Sequence, residues 1–138
     1  MIQRIQTVWW LVAAAIMGAC LFLPLFQFSE LDAVRTIYAR NVSFLYFPLV
    51  ALGILTIAVI FLYKRRQLQV TLSYIIVVSL IAMCFGAFVQ YQRLGTSHAD
   101  IKLLPWVFIL FFPVIFQILA IRGVKKDEAL ISSMDRLR

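Results

Sequence analysis

Apolar positions in this chain fall into four long blocks, at 8–28, 44–63, 70–91 and 103–121, and no Asp, Glu, Lys, Arg or His interrupts any of them. A helix rises ~1.5 Å per residue, so ~20 apolar residues cross the ~30 Å hydrocarbon core of a bilayer. Each block has that length, and the charged residues are confined to the connections and the two ends. A membrane β-barrel would instead alternate apolar and polar positions over strands of ~10 residues. The pattern predicts an all-α, polytopic membrane protein with one transmembrane domain over 1–138. Four transmembrane helices, at about 8–28, 44–63, 70–91 and 103–121, are expected to form an antiparallel bundle, with a tail at 123–138.

Smaller signals refine these elements. Trp9, Trp10 and Tyr63 lie at one set of helix ends, and Tyr46, Tyr91 and Trp106 near the other, where amphipathic rings prefer the membrane interface. Small residues recur four apart in Ala14 and Gly18, Ala15 and Ala19, and Ala82 and Gly86, the spacing that lets helix backbones approach closely in lipid. Pro48 and Pro105 suit a first helical turn, where a missing N–H costs nothing. Pro113 reads as interior to the fourth helix, where it would free the Ile109 carbonyl and kink the helix, either to fit its neighbours, the commoner outcome, or to open a cleft. The loop 29–43 fits either a short helix or a hairpin.

Gly123 suits a helix stop. Beyond it, Leu130, Ile131, Met134 and Leu137 share a face, with Asp127 and Glu128 at the start and Arg136 and Arg138 at the end. That charge order complements a helix dipole and predicts a short, separate amphipathic helix.

A hydrophobic content of 64% leaves no room for a soluble domain, in which about half the residues are apolar. The net charge of +7 is a topological signal rather than a nucleic-acid footprint, because no stacking aromatics sit among the basic residues. With the N-terminus inside, Arg4, Lys64, Arg65, Arg66, Arg122, Lys125, Lys126, Arg136 and Arg138 share the cytoplasmic side. Only Arg35, Arg40, Arg93 and Lys102 lie outside. Both termini are then cytoplasmic. The basic face attracts anionic lipid headgroups at roughly 1 kcal/mol per charge. A cleaved signal peptide is disfavoured, because the first apolar run exceeds the ~7–15 residues of a secretory core.

Missing chemistry narrows the function. No ionisable residue lies within a span, where one would mark a proton or ion path. The single histidine, His98, lies in a connection, so neither bis-histidine haem nor a histidine-rich metal site is available. Cys20 and Cys84 fall at similar depths but lack the C-x-x-C of a redox pair, and read as small hydrophobes. No cofactor and no enzymatic activity are expected. Within the spans, Gln90 and Gln117 are the candidate polar contacts.

Three stretches carry a resemblance. They are the opening Met1-Ile2-Gln3-Arg4-Ile5-Gln6-Thr7, the central Lys64-Arg65-Arg66-Gln67-Leu68-Gln69, and the ending from Ala120-Ile121-Arg122-Gly123-Val124-Lys125-Lys126-Asp127-Glu128 through Asp135-Arg136-Leu137-Arg138. In order and over the whole chain, they resemble a small four-helix integral membrane family of unknown function typical of Bacteroidota. The resemblance implies a multi-pass protein of the bacterial inner membrane and no particular activity. The matching segments lie on the cytoplasmic face, which suits docking. The expected function is a non-enzymatic accessory or scaffold subunit, working with a protein partner in a larger complex or as a homo-oligomer. Its candidate docking or headgroup residues are Arg4, Lys64, Arg65, Arg66, Lys125, Lys126, Asp127, Glu128 and Arg136. The alternative is a protein that binds or transports a lipid or small hydrophobe, using a cleft near Pro113.

Overall fold

The computed structural model describes residues 3–30, 33–63, 65–97, 101–103 and 105–135. They form four α-helices, α1 Gln3–Cys20, α2 Ser43–Phe61, α3 Arg66–Ser97 and α4 Phe112–Asp135. Three strands join them: β1 Pro24–Glu30, β2 Ala33–Tyr38 and β3 Ile101–Leu103. The fold is mostly helical. Three helices are long and apolar enough to cross a membrane, over Ser43–Phe61, Arg66–Leu94 and Val107–Leu130, and the apolar part of α1, Ile5–Cys20, is shorter.

Each helix buries one stripe. On α1 it is Gln6, Trp10, Ala13, Met17 and Cys20; on α2 it is Leu45, Leu49, Leu52, Thr56 and Val59. On α3 Gln69, Ser73, Ile76, Leu80, Met83 and Ala87 are buried. On α4 the stripe is Pro113, Gln117, Ala120 and Val124. Steps of four and three alternate throughout, the seven-residue period that keeps one seam facing its neighbours in left-handed helix packing. The opposite faces are apolar and exposed: Phe61 is 75% accessible, Phe85 68% and Val78 66%. A soluble monomer rarely exposes large contiguous apolar patches. Buried amides and hydroxyls inside and aromatic rings outside suit lipid as the surrounding solvent. This is a membrane-associated protein.

Several helix boundaries differ from the sequence reading, and α3, expected over 70–91, runs over Arg66–Ser97. The first helix ends at Cys20, not at residue 28. Leu21 and Phe22 close it by donating backbone N–H hydrogen bonds to the Gly18 and Ala19 carbonyls, at 3.3 and 3.0 Å. Pro24 then biases its predecessor toward extended backbone and opens a strand, where a proline in first position is tolerated. The all-α expectation is corrected by the sheet that follows, which settles the loop 29–43 as a hairpin. Strand order is β2-β1-β3, antiparallel throughout, with Phe26 opposite Ile37 on one side and Leu103 on the other. An irregularity between Pro24 and Phe26 accompanies the burial of both Leu25 and Phe26. The Phe26 ring stacks on Tyr91 of α3, with centroids 6.0 Å apart.

The fourth helix also differs. Residue 103 belongs to β3, and a 3-10 helix, Pro105–Phe111, precedes α4. Pro113 is therefore the second residue of α4, in the first turn and buried, rather than an interior kink. Pro48 lies deeper than expected, inside α2 beyond its first turn. Gly123 does not stop the helix: α4 continues through it to Asp135, so no separate tail helix exists among the described residues. Ile131 and Met134 side chains, and Leu137, lie outside what is described.

Glycine instead serves close approach. A Cβ on Gly123 would lie 2.8 Å from Cγ of Gln6 on α1. A Cβ on Gly86 would overlap the ring of Phe44 on α2. The two cases differ in cost, because Phe44 is 57% exposed and its ring can swing into lipid. Gly86→Ala is expected to change stability by less than about 1 kcal/mol, since helix propensity offsets the adjustment. Unfolding by SDS titration, read by circular dichroism, checks it.

Candidate functional site

The buried stripes carry polar side chains at one end of the molecule. Gln6 lies one turn before Trp10 on α1, and Asp127 follows Val124 by three residues on α4, continuing that helix's buried spacing. Gln69 opens the buried stripe of α3, one turn after Arg65 and Arg66. The α2–α3 connection holds these elements close. Leu62 N–H bonds to Val59 O at 3.1 Å, Arg65 N–H to Leu62 O at 2.9 Å, and Gln69 N–H to Arg65 O at 3.1 Å.

These residues enclose a cavity of about 330 Å³. Gln6, Thr7 and Trp10 line it from α1, and Arg66 and Gln69 from α3. Ile60, Phe61 and Tyr63 close it from the end of α2, and Val124 and Asp127 from α4. Its walls are therefore mostly apolar with a few converging polar groups, the usual make-up of a small-molecule site. Arg66 also lines an adjoining open groove with Arg65, Gln67 and Leu68.

Hydrogen bonding in the cavity is incomplete. Gln6 Nε2 donates to Asp127 Oδ2. Gln69 Nε2 donates to the Val59 carbonyl at 3.1 Å. Asp127 Oδ1 and Trp10 Nε1 are buried without a partner among the described residues, as is Ser73 Oγ one turn deeper on α3. Buried polar atoms are normally satisfied, and leaving one unpaired costs about 1–3 kcal/mol. Two of the lining residues thus each hold one unused group, an acceptor oxygen on Asp127 and a donor N–H on Trp10, buried beside the cavity.

Of the residues singled out from sequence, Arg66 and Asp127 meet at this cavity. Arg65, Lys125, Lys126 and Glu128 are exposed on the same end. Lys125 Nζ donates to the Tyr74 hydroxyl at 2.8 Å, tying α4 to α3. The side chain of Arg4, and Lys64 and Arg136, lie outside the described residues. Gln6, Trp10 and Gln69 were not singled out as site residues. The signal that could have found them is the four-three spacing of the buried stripe, extended one step past the apolar core.

Away from this end, polar groups meet within the packing, and Gln117 Oε1 is also buried without a partner among the described residues. Gln117 is fully buried and donates through Nε2 to Thr56 Oγ1 at 2.9 Å, while Thr56 donates to the Leu52 carbonyl at 2.8 Å. Gln90 is half-buried. Neither amide, nor Pro113, lines the cavity. Both cysteines are free thiols, and Cys84 Sγ lies 3.7 Å from the Leu110 carbonyl oxygen. No group of three or more metal-ligating side chains occurs among the described residues.

Comparison with known proteins adds one decisive match. The sequence pattern of a domain of unknown function, DUF4293, matches residues 2–137. The chain belongs to the DUF4293 family. That membership covers nearly the whole chain and agrees with the resemblance to a family without assigned function. No curated protein and no solved structure matches this DUF4293 chain.

Proposed function

We propose that this DUF4293 protein is a four-span protein of the bacterial inner membrane that acts without catalysis, by holding the phosphate-bearing headgroup of a membrane lipid at its cytoplasmic end. One observation carries the reading: the cavity with unused polar atoms opens at the same end as the basic α2–α3 turn. Lipid headgroups lie at that depth, and arginine is suited to phosphate. Among the described residues the lining offers one carboxylate and no imidazole, thiol or second acid, which suits binding rather than acid–base chemistry. The lipid-binding alternative thereby moves from Pro113 to the opposite end of α4.

The topology of the proposal is an antiparallel bundle with both termini cytoplasmic. At 18 residues α1 reaches about 27 Å, nearly the ~30 Å hydrocarbon thickness, so it serves as the fourth span. Gln6 against Gly123, and Phe44 against Gly86, pair the start of one helix with a later part of another. In a variant lacking Cys20 and Cys84, single cysteines at Gln67 and Ser133 are expected to resist an impermeant maleimide in intact cells, and one at Ser97 to react. The reverse pattern would overturn this orientation.

A protein partner on the same face is the second reading, and the exposed stretch of α4 at 128–130 favours it. Leu130 is 46% exposed there, beside the exposed Glu128. Native mass spectrometry after gentle extraction separates the two. Retained phospholipid that drops several-fold in Arg65→Gln/Arg66→Gln supports headgroup binding. A lipid-free chain recovered with a stoichiometric protein supports the accessory-subunit role and sinks the lipid reading.

A further inference from the structure

The cavity at the cytoplasmic end presents both signs of charge to one space. Arg66 and Asp127 both line it, and no ion pair joins them among the described residues. Among the described residues, Asp127 spends one oxygen on Gln6 and leaves Oδ1 buried and unpartnered. Trp10 is 1% exposed, lines the same cavity, and has no acceptor for its indole N–H among the described residues. The groups on this lining are therefore complementary in kind: a carboxylate acceptor on Asp127, and donors on Arg66 and Trp10.

A plain anion satisfies only half of this. It would take the Arg66 guanidinium and the Trp10 N–H, and it would repel Asp127. A plain cation would satisfy Asp127 and oppose Arg66. A zwitterion in which a phosphate and a primary ammonium lie a few bonds apart satisfies all three groups. The volume of about 330 Å³ sits at the small end of ligand pockets, which run from about 300 to 1,000 Å³. It accommodates a headgroup while the acyl chains stay in the bilayer.

We propose that this cavity selects an aminophospholipid headgroup, with Asp127 Oδ1 accepting from the ammonium while Arg66 and Trp10 Nε1 donate to the phosphate. The inference rests on the lipid-binding reading above and adds the ammonium as the selected feature. Selection follows from desolvation. A buried carboxylate oxygen gains a charge-assisted bond from a primary ammonium, whereas a trimethylated ammonium has no N–H to give. A glycerol headgroup offers only a neutral hydroxyl.

The test compares short-chain phosphatidylethanolamine, phosphatidylcholine and phosphatidylglycerol, together with soluble phosphoethanolamine, on the full-length protein in detergent by native mass spectrometry. The wild type is expected to prefer the ethanolamine lipid by about tenfold over each of the other two, within the range set by leaving a buried hydrogen-bonding group unpaired. Asp127→Asn keeps an oxygen for Gln6 but removes the charge, and is expected to abolish that preference while phosphatidylglycerol binding holds or rises. Asp127→Glu is expected to keep most of it, which separates charge recognition from misfolding. Equal binding of all three lipids by the wild type, or an unchanged preference in Asp127→Asn, would overturn the ammonium reading and leave phosphate recognition standing. No lipid bound at all would overturn both. Phosphoethanolamine binding as tightly as the lipid would overturn the membrane source of the headgroup.

Discussion

Gly123→Leu is expected to destabilise the protein by about 3 kcal/mol, at the upper end of what forcing extra atoms into a packed interior costs. Even a Cβ there would come within 2.8 Å of Gln6 Cγ, in the middle of a side chain rather than at its free end. Gln6 is 6% exposed and tethered to Asp127, so it has nowhere to go. The start of α1 would have to part from α4, opening the cavity and breaking the Gln6–Asp127 bond together. SDS titration followed by circular dichroism reads the loss. A wild-type midpoint for Gly123→Leu would mean that α1 does not pack here as closely as described.

The second large effect is expected from Trp10→Ala. The side chain is 1% exposed in the core, and truncating a buried tryptophan costs about 3–5 kcal/mol in soluble proteins. About 3 kcal/mol is expected here, because lipid solvates apolar surface well and much of the loss comes from packing. Leu11 supplies the control on the neighbouring face. It is 51% exposed, and Leu11→Ala should barely move the unfolding midpoint. If the two variants unfold alike, the inward and outward faces of α1 have been exchanged.

The four apolar blocks made the four helices legible, because uninterrupted hydrophobicity of that length has few other uses. Their ends were not. The run through Leu21, Phe22, Leu23 and Leu25 is as apolar as the helix before it, and a continuous apolar run does not distinguish strand from helix. Pro24 is the cue, but it falls inside the uninterrupted apolar block 8–28. Gly123 illustrates a second ambiguity. Glycine serves a helix stop and a close helix crossing equally, and only the partner residue, Gln6, decides between them. The candidate site was half legible. Arg66 and Asp127 stood out by charge, whereas Gln6 and Gln69 are uncharged and are picked out only by their register with the buried stripe.

The small sheet has a consequence for biogenesis. Its central strand, β1, follows the first helix, but one of its two partners, β3, precedes the last. As the chain leaves the ribosome, β1 and β2 can zip together as soon as the hairpin emerges. Phe26 then waits for Leu103, and Gln27 for Lys102, until α2 and α3 have been inserted. Contacts between residues so far apart in sequence form slowly and late. The third strand therefore acts as a completion latch: one edge of β1 stays bare through the synthesis of α2 and α3 and is covered only when residues 101–103 follow.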